Sequence, residues 1–111
     1  MTAIRVLEYL DRAGRSPWRR WFNDLDAHAA AKVGTALYRL GQGNFSTGEG
    51  VGSGVFEARI DFGPGYRIYF GKDGETVVIL LGGSTKKRQS AAIGAAHEAW
   101  ADYKQRKKGA A

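Results

Sequence analysis

The sequence predicts an α+β fold in which helices cover a mostly antiparallel sheet. Three observations predict it. Residues 54–70, GVFEARIDFGPGYRIYF, alternate apolar and polar on both sides of an FGPG turn. Period-two alternation over that length marks a half-buried antiparallel hairpin. Residues 76–81, TVVILL, form an unbroken apolar run, as expected of a strand buried on both faces. Three further stretches space apolar residues three and four apart, the pattern of helices lying on a core. The expected order is β-α-α-β-β-β-α, with an αα-hairpin and a C-terminal helix.

Residues 3–10, AIRVLEYL, read as a strand because β-branched and aromatic residues dominate. The turn from Asp11 to Arg15 closes it. Ser16-Pro17 starts a helix: serine caps, and proline at the first position loses no needed N–H. Trp18, Trp21, Phe22 and Leu25 then make one apolar stripe, read as core packing. A second helix spans about Ala27 to Leu40, with Gly41 as its left-handed terminator. The glycine-rich stretch from Gly41 to Gly54 follows a helix and opens a strand. A phosphate-binding loop does the reverse, so a mobile surface loop is expected here. Lys72-Asp73-Gly74 is expected to be a turn, and Gly82-Gly83-Ser84-Thr85 is expected to break the TVVILL strand. The last helix should run from about Lys87 to Arg106, with Ile93, Ala96, His97, Trp100 and Tyr103 or Lys104 inward.

The 111 residues are enough for one domain. There are no cysteines, which excludes disulfides and thiolate metal sites and fits a cytoplasmic setting. No run resembles a signal peptide or a membrane span. The net charge is +6, and its placement is uneven. Residues 1–85 carry 10 basic and 9 acidic side chains, whereas residues 86–111 carry 7 and 2. An anionic partner is therefore drawn toward the end of the chain. Lys104, Arg106, Lys107 and Lys108 read as a basic tail fraying over 104–111. Lys86-Lys87-Arg88 sits instead at a strand-to-helix junction.

The chemistry on offer is basic and aromatic. His28 and His97 are far apart, and no acidic cluster suits a hard cation, so no metal or cofactor is expected. Alternation puts Glu57, Arg59, Asp61, Arg67 and Tyr69 on one exposed face of the hairpin. Guanidinium groups there suit a phosphate, which they bind bidentately while staying charged. Both apolar faces must meet one core, so paired positions need an even sum. A GPG loop would pair Asp61 with Arg67 and Arg59 with Tyr69. The other even register sets Arg59 against Arg67, two like charges, and is disfavoured. Parity turns Tyr66 toward the core. RNA could be cut at such a site if fixed charge stabilised the phosphorane and a lysine or tyrosine moved the proton. An ion-pair ladder with no catalytic role is the competing reading.

The motifs SPWRRWFNDLD, LGQGNF, GVFEARIDFGPGYRIYF and VVILLGGSTKKRQ…AIGAAHEAWADYKQR resemble the RelE/ParE superfamily of bacterial toxins, closest to its HigB-like addiction module killer proteins. The resemblance spans about Ile4 to Arg106. It implies a RelE-like fold and a toxin neutralised by a cognate antitoxin, a small helix-turn-helix protein. It further implies an mRNA endonuclease (mRNA interferase) acting on the ribosome without metal, in the cytoplasm, away from membranes. Operator DNA would be met only through the antitoxin. Carried over, Arg59 and Arg67 match the family's hairpin arginines, Lys86 the lysine after the third strand, and Tyr66 the aromatic before the second arginine. The residues themselves add Tyr69 as a further catalytic candidate, and Lys87 and Arg88 as candidates to bind RNA. One departure is Ala92, where many members carry an acidic residue. The alternative is a ParE-like inhibitor of DNA gyrase without nuclease activity. A third reading is an inactive toxin that only binds its antitoxin.

Overall fold

A computed structural model describes residues 3–45 and 48–109. The expectations that touch Ser46, Thr47, Ala110 and Ala111 lie outside the described residues. The described residues fold as α+β, with three α-helices and one mixed five-stranded sheet. In chain order the elements are β1 (Arg5–Glu8), α1 (Pro17–Asn23), α2 (Ala27–Gly41), β2 (Gly48–Gly50), β3 (Val55–Ile60), β4 (Tyr66–Asp73), β5 (Val77–Thr85), a 3₁₀ turn (Lys86–Arg88) and α3 (Gln89–Gly109). The strands lie in the order β1-β5-β4-β3-β2. Only β1 runs parallel to its neighbour, β5.

Local signals explain the helix ends. The Ser16 side chain accepts from the Arg19 N–H at 3.0 Å, and Asp26 caps α2 through the Ala29 N–H at 2.9 Å. The second helix does not stop at Gly41. It runs through that residue, and the left-handed position falls at Gly43, whose N–H reaches the Leu40 carbonyl. The glycine-rich stretch is not all loop either. Gly48–Gly50 forms β2, an antiparallel partner of β3. Gly52 and Gly54 then supply positive φ for the tight connection into β3. Period-two reading missed β2 because a glycine strand has no side chains to alternate.

The sheet has a core on each side. Helices α1 and α2 cover one face, burying Trp18, Val33 and Leu40 against Ala58, Ile68, Phe70, Val78 and Leu80. Helix α3 covers the other, packing Ala96, Ala99 and Trp100 on Val55, Tyr69, Ile79 and Leu81. The hairpin face expected to be exposed is therefore mostly interior. Two glycines let the tryptophans sit flat on the sheet. A Cβ at Gly71 would come within 2.5 Å of the Trp100 ring, and one at Gly83 would overlap Trp21.

Strand β5 does not break at Gly82. It continues to Thr85 through a bulge opposite Tyr69 and Phe70. Tyr69 pairs with Gly82 and Phe70 with Leu80, leaving Leu81 as the extra residue. Leu81 and Gly82 thus share the α3 side, and every later residue changes face. Ser84 turns toward α3, and Gly83 toward Trp21 of α1.

The basic end expected to fray is helical through Gly109. Lys107 reaches Asp73 at 2.5 Å, Arg106 pairs with Asp102 at 3.0 Å, and Tyr103 donates to Asp73 at 2.6 Å. Burial, then the Asp73 carboxylate, pushes the Tyr103 hydroxyl up to about 12 from 10.0. A raised folded value means that this stabilisation is whole below the unfolded value and is lost as pH climbs toward the folded one. Tyr103→Phe should therefore lose less stability than wild type between pH 10 and about pH 12. Urea midpoints across that range check it, and identical slopes would refute it. Among the described residues no helix is long and apolar enough to cross a membrane.

Candidate functional site

Hairpin register decides what the arginines meet. Strands β3 and β4 pair Ile60 with Tyr66, Arg59 with Arg67 and Glu57 with Tyr69. This is the register disfavoured on like-charge grounds, and it corrects the expected pairing of Asp61 with Arg67 and Arg59 with Tyr69. Two features reverse the balance. The loop from Asp61 to Gly65 is longer than GPG, and Gly63 and Gly65 supply its left-handed positions. The charge of the paired arginines is met by Glu57, one step further along the same face. Its carboxylate lies 3.3 Å from Arg59 Nε and 3.5 Å from Arg67 Nε, and accepts from Gln89 Nε2 at 2.9 Å. Arg59 also pairs with Glu49, which sits opposite Glu57 on β2. Glu49, Arg59, Glu57 and Arg67 thus alternate in sign across three strands.

Burial divides these groups. Glu57 is 1% exposed and Arg67 8%, while half of the Arg59 side chain reaches solvent. A buried carboxylate persists only with paired, hydrogen-bonded charge, and two arginines with Gln89 supply it. Arg67 Nε is buried without hydrogen-bond geometry to any partner. Tyr69 is fully buried, and its hydroxyl shares a 3.0 Å hydrogen bond with Ser84 Oγ. Burial pushes that hydroxyl up from its ordinary value. The expected placement of Tyr69 beside Arg59 on an open face is thus corrected. Tyr69 is a core residue, out of reach of a ligand, because α3 lies over it.

Lys86 comes to the arginines through the backbone. Its N–H donates to the Gly65 carbonyl at 2.8 Å, pinning the 3₁₀ turn to the hairpin loop. One open cleft of about 330 Å³ is lined by Arg59, Asp61, Gly65, Arg67 and Lys86. Three of the four side chains expected to be catalytic therefore meet there, and Tyr69 does not. Lys87 and Arg88 line a neighbouring cleft with Trp21. All three cations of the turn are exposed, and among the described residues none has an ion pair. His97 bonds the Val51 carbonyl at 2.9 Å and holds the β2–β3 connection, and His28 is exposed on α2. No group of three or more His, Asp or Glu among the described residues is placed to hold a metal.

No protein-family model matches the chain. A Haemophilus influenzae (strain ATCC 51907 / DSM 11121 / KW20 / Rd) protein described as "Uncharacterized protein" is 41% identical over 70 residues, or 62% of this chain and 71% of that one. The chain belongs to that protein's family. Membership carries no activity with it, because that protein is described only as uncharacterized. Glu49 and Gln89 are the members of this site that sequence reading did not single out. Gln89 entered only as the last letter of the GGSTKKRQ block and was given no role, because nothing local shows that the first residue of α3 faces β3. Glu49 sat in a stretch read as loop.

Proposed function

We propose that this protein is a RelE/ParE-type, HigB-like toxin that cuts mRNA on the ribosome and is neutralised by a small helix-turn-helix antitoxin. The observation that carries the reading is the convergence of Arg59, Arg67 and Lys86 on one cleft. A substrate 2′-hydroxyl attacks the adjacent phosphorus, and the 5′ oxygen leaves. Arg59 is the exposed guanidinium that meets the developing phosphorane charge. The Lys86 ammonium donates a proton to the leaving oxygen, and Asp61, in the same cleft, is the nearby carboxylate for the attacking hydroxyl. Arg67 lies deeper and keeps Glu57 neutralised. The sequence motifs of the hairpin and of the GGSTKKRQ block support the same assignment.

Translation with purified components tests it. The protein should cleave ribosome-bound mRNA, and Lys86→Ala should slow cleavage by about 100-fold or more while leaving the fold intact. Intact mRNA at saturating protein overturns the reading. Arg67→Ala is the poorer probe, because it strands a buried carboxylate and costs stability as well.

One observation favours a ParE-like gyrase inhibitor. Both hairpin arginines are already ion-paired, which leaves fewer free charges for catalysis. A protein of that kind would trap cleaved DNA in a gyrase supercoiling assay and leave mRNA whole.

A further inference from the structure

We infer that the cleft between α1 and the start of α3 binds one nucleotide of a single-stranded RNA, its base against Trp21 and its phosphate at Lys87 and Arg88. The choice of RNA rests on the reading above, and the site itself rests on its own geometry. The cleft holds about 630 Å³, nearly twice the volume of the arginine cleft. Trp21 forms its aromatic wall, Thr85 and Ser90 bring hydroxyls, and Ala91 leaves the α3 side open.

Several features fit a nucleotide. Trp18 and Trp100 are buried, whereas Trp21 keeps part of its ring accessible. The ring is fixed because Gly83 admits it onto the sheet and Tyr66 lies beside it, 6.4 Å between centroids. A rigid, partly open indole offers a stacking surface that loses little entropy when a base settles on it. Lys87 and Arg88 have no carboxylate partner among the described residues, and no acidic side chain lines the cleft. A phosphate there displaces no ion pair, unlike one arriving at Arg59. The two clefts flank the same 3₁₀ turn, with Lys86 in one and Lys87 and Arg88 in the other. A strand crossing that turn would place adjoining nucleotides in both. An acidic peptide could meet the same cations, but the flat ring and the hydroxyls favour a base and ribose.

The test uses the purified full-length protein and a 2′-O-methyl hexaribonucleotide, which cannot be cut. Binding is read by anisotropy of the labelled strand and by quenching of tryptophan fluorescence. Trp21→Leu and Arg88→Ala should each weaken binding about tenfold. Ala91→Glu, at an exposed position, should do so too by setting a carboxylate against the phosphate. Circular dichroism should be unchanged in the last two. Equal affinity for wild type and Ala91→Glu overturns the inference, as does an acidic peptide that binds where the RNA does not. Strand binding that depends on Trp21, without mRNA cleavage, would sink the nuclease reading and keep this site. Cleavage that is indifferent to Trp21 and Ala91 would do the opposite.

Discussion

Glu57→Ala lowers the free energy of unfolding by about 3–5 kcal/mol. The carboxylate is 1% exposed and serves Arg59, Arg67 and Gln89 together. Its removal leaves the Arg67 guanidinium, 8% exposed, with no ion-pair partner among the described residues. The loss comes from an uncompensated buried cation more than from the pair's own worth. Glu57→Leu with Arg67→Met should accordingly recover most of it, because an apolar pair of similar volume needs no neutralisation. Urea unfolding of the three proteins checks both statements. A Glu57→Ala protein within about 1 kcal/mol of wild type would mean that water reaches the site. The carboxylate also joins β3 to the start of α3 through Gln89, so its loss should loosen the turn that carries Lys86.

Trp100→Ala is expected to cost about 3–5 kcal/mol, as for other buried aromatic deletions. The ring fills the space between α3 and the sheet, stacks on Tyr103 at 5.3 Å and rests on Gly71. Gly71→Ala is expected to cost about 1–3 kcal/mol for the opposite reason, an added methyl where there is no room. The two changes should couple. With Trp100 gone, the methyl at Gly71 has space, so the double variant should be less destabilised than the two losses together. Strict additivity in a double-mutant cycle would show that the ring does not bear on Gly71 in solution.

Much of the fold was legible because its signals are local. Ser16-Pro17 marks a helix start wherever the chain goes next, since capping involves only neighbouring N–H groups. TVVILL reads as an interior strand because burial on both faces leaves no polar position. The bulge at Leu81 was not legible. Gly82-Gly83 suggests a break, and only pairing with Tyr69 and Phe70 makes it a continued strand.

The hairpin shows where local reasoning ends. Alternation by itself put Glu57, Arg59, Arg67 and Tyr69 on one face of two strands, because successive side chains of a strand must point opposite ways. Whether that face met water was a tertiary matter. Helix α3 crosses it, burying Tyr69 and Glu57 and leaving Arg59 at the rim. Register was tertiary as well. Pairwise repulsion argued against Arg59 opposite Arg67, yet a buried carboxylate shared by both outweighs it in a low-dielectric interior. The sequence on its own determined which residues share a face. Packing of the last helix and the long-range bond from Lys86 to Gly65 decided which of them line a cleft. Parity is a property of the chain, whereas exposure and charge balance depend on what the rest of the chain lays over it.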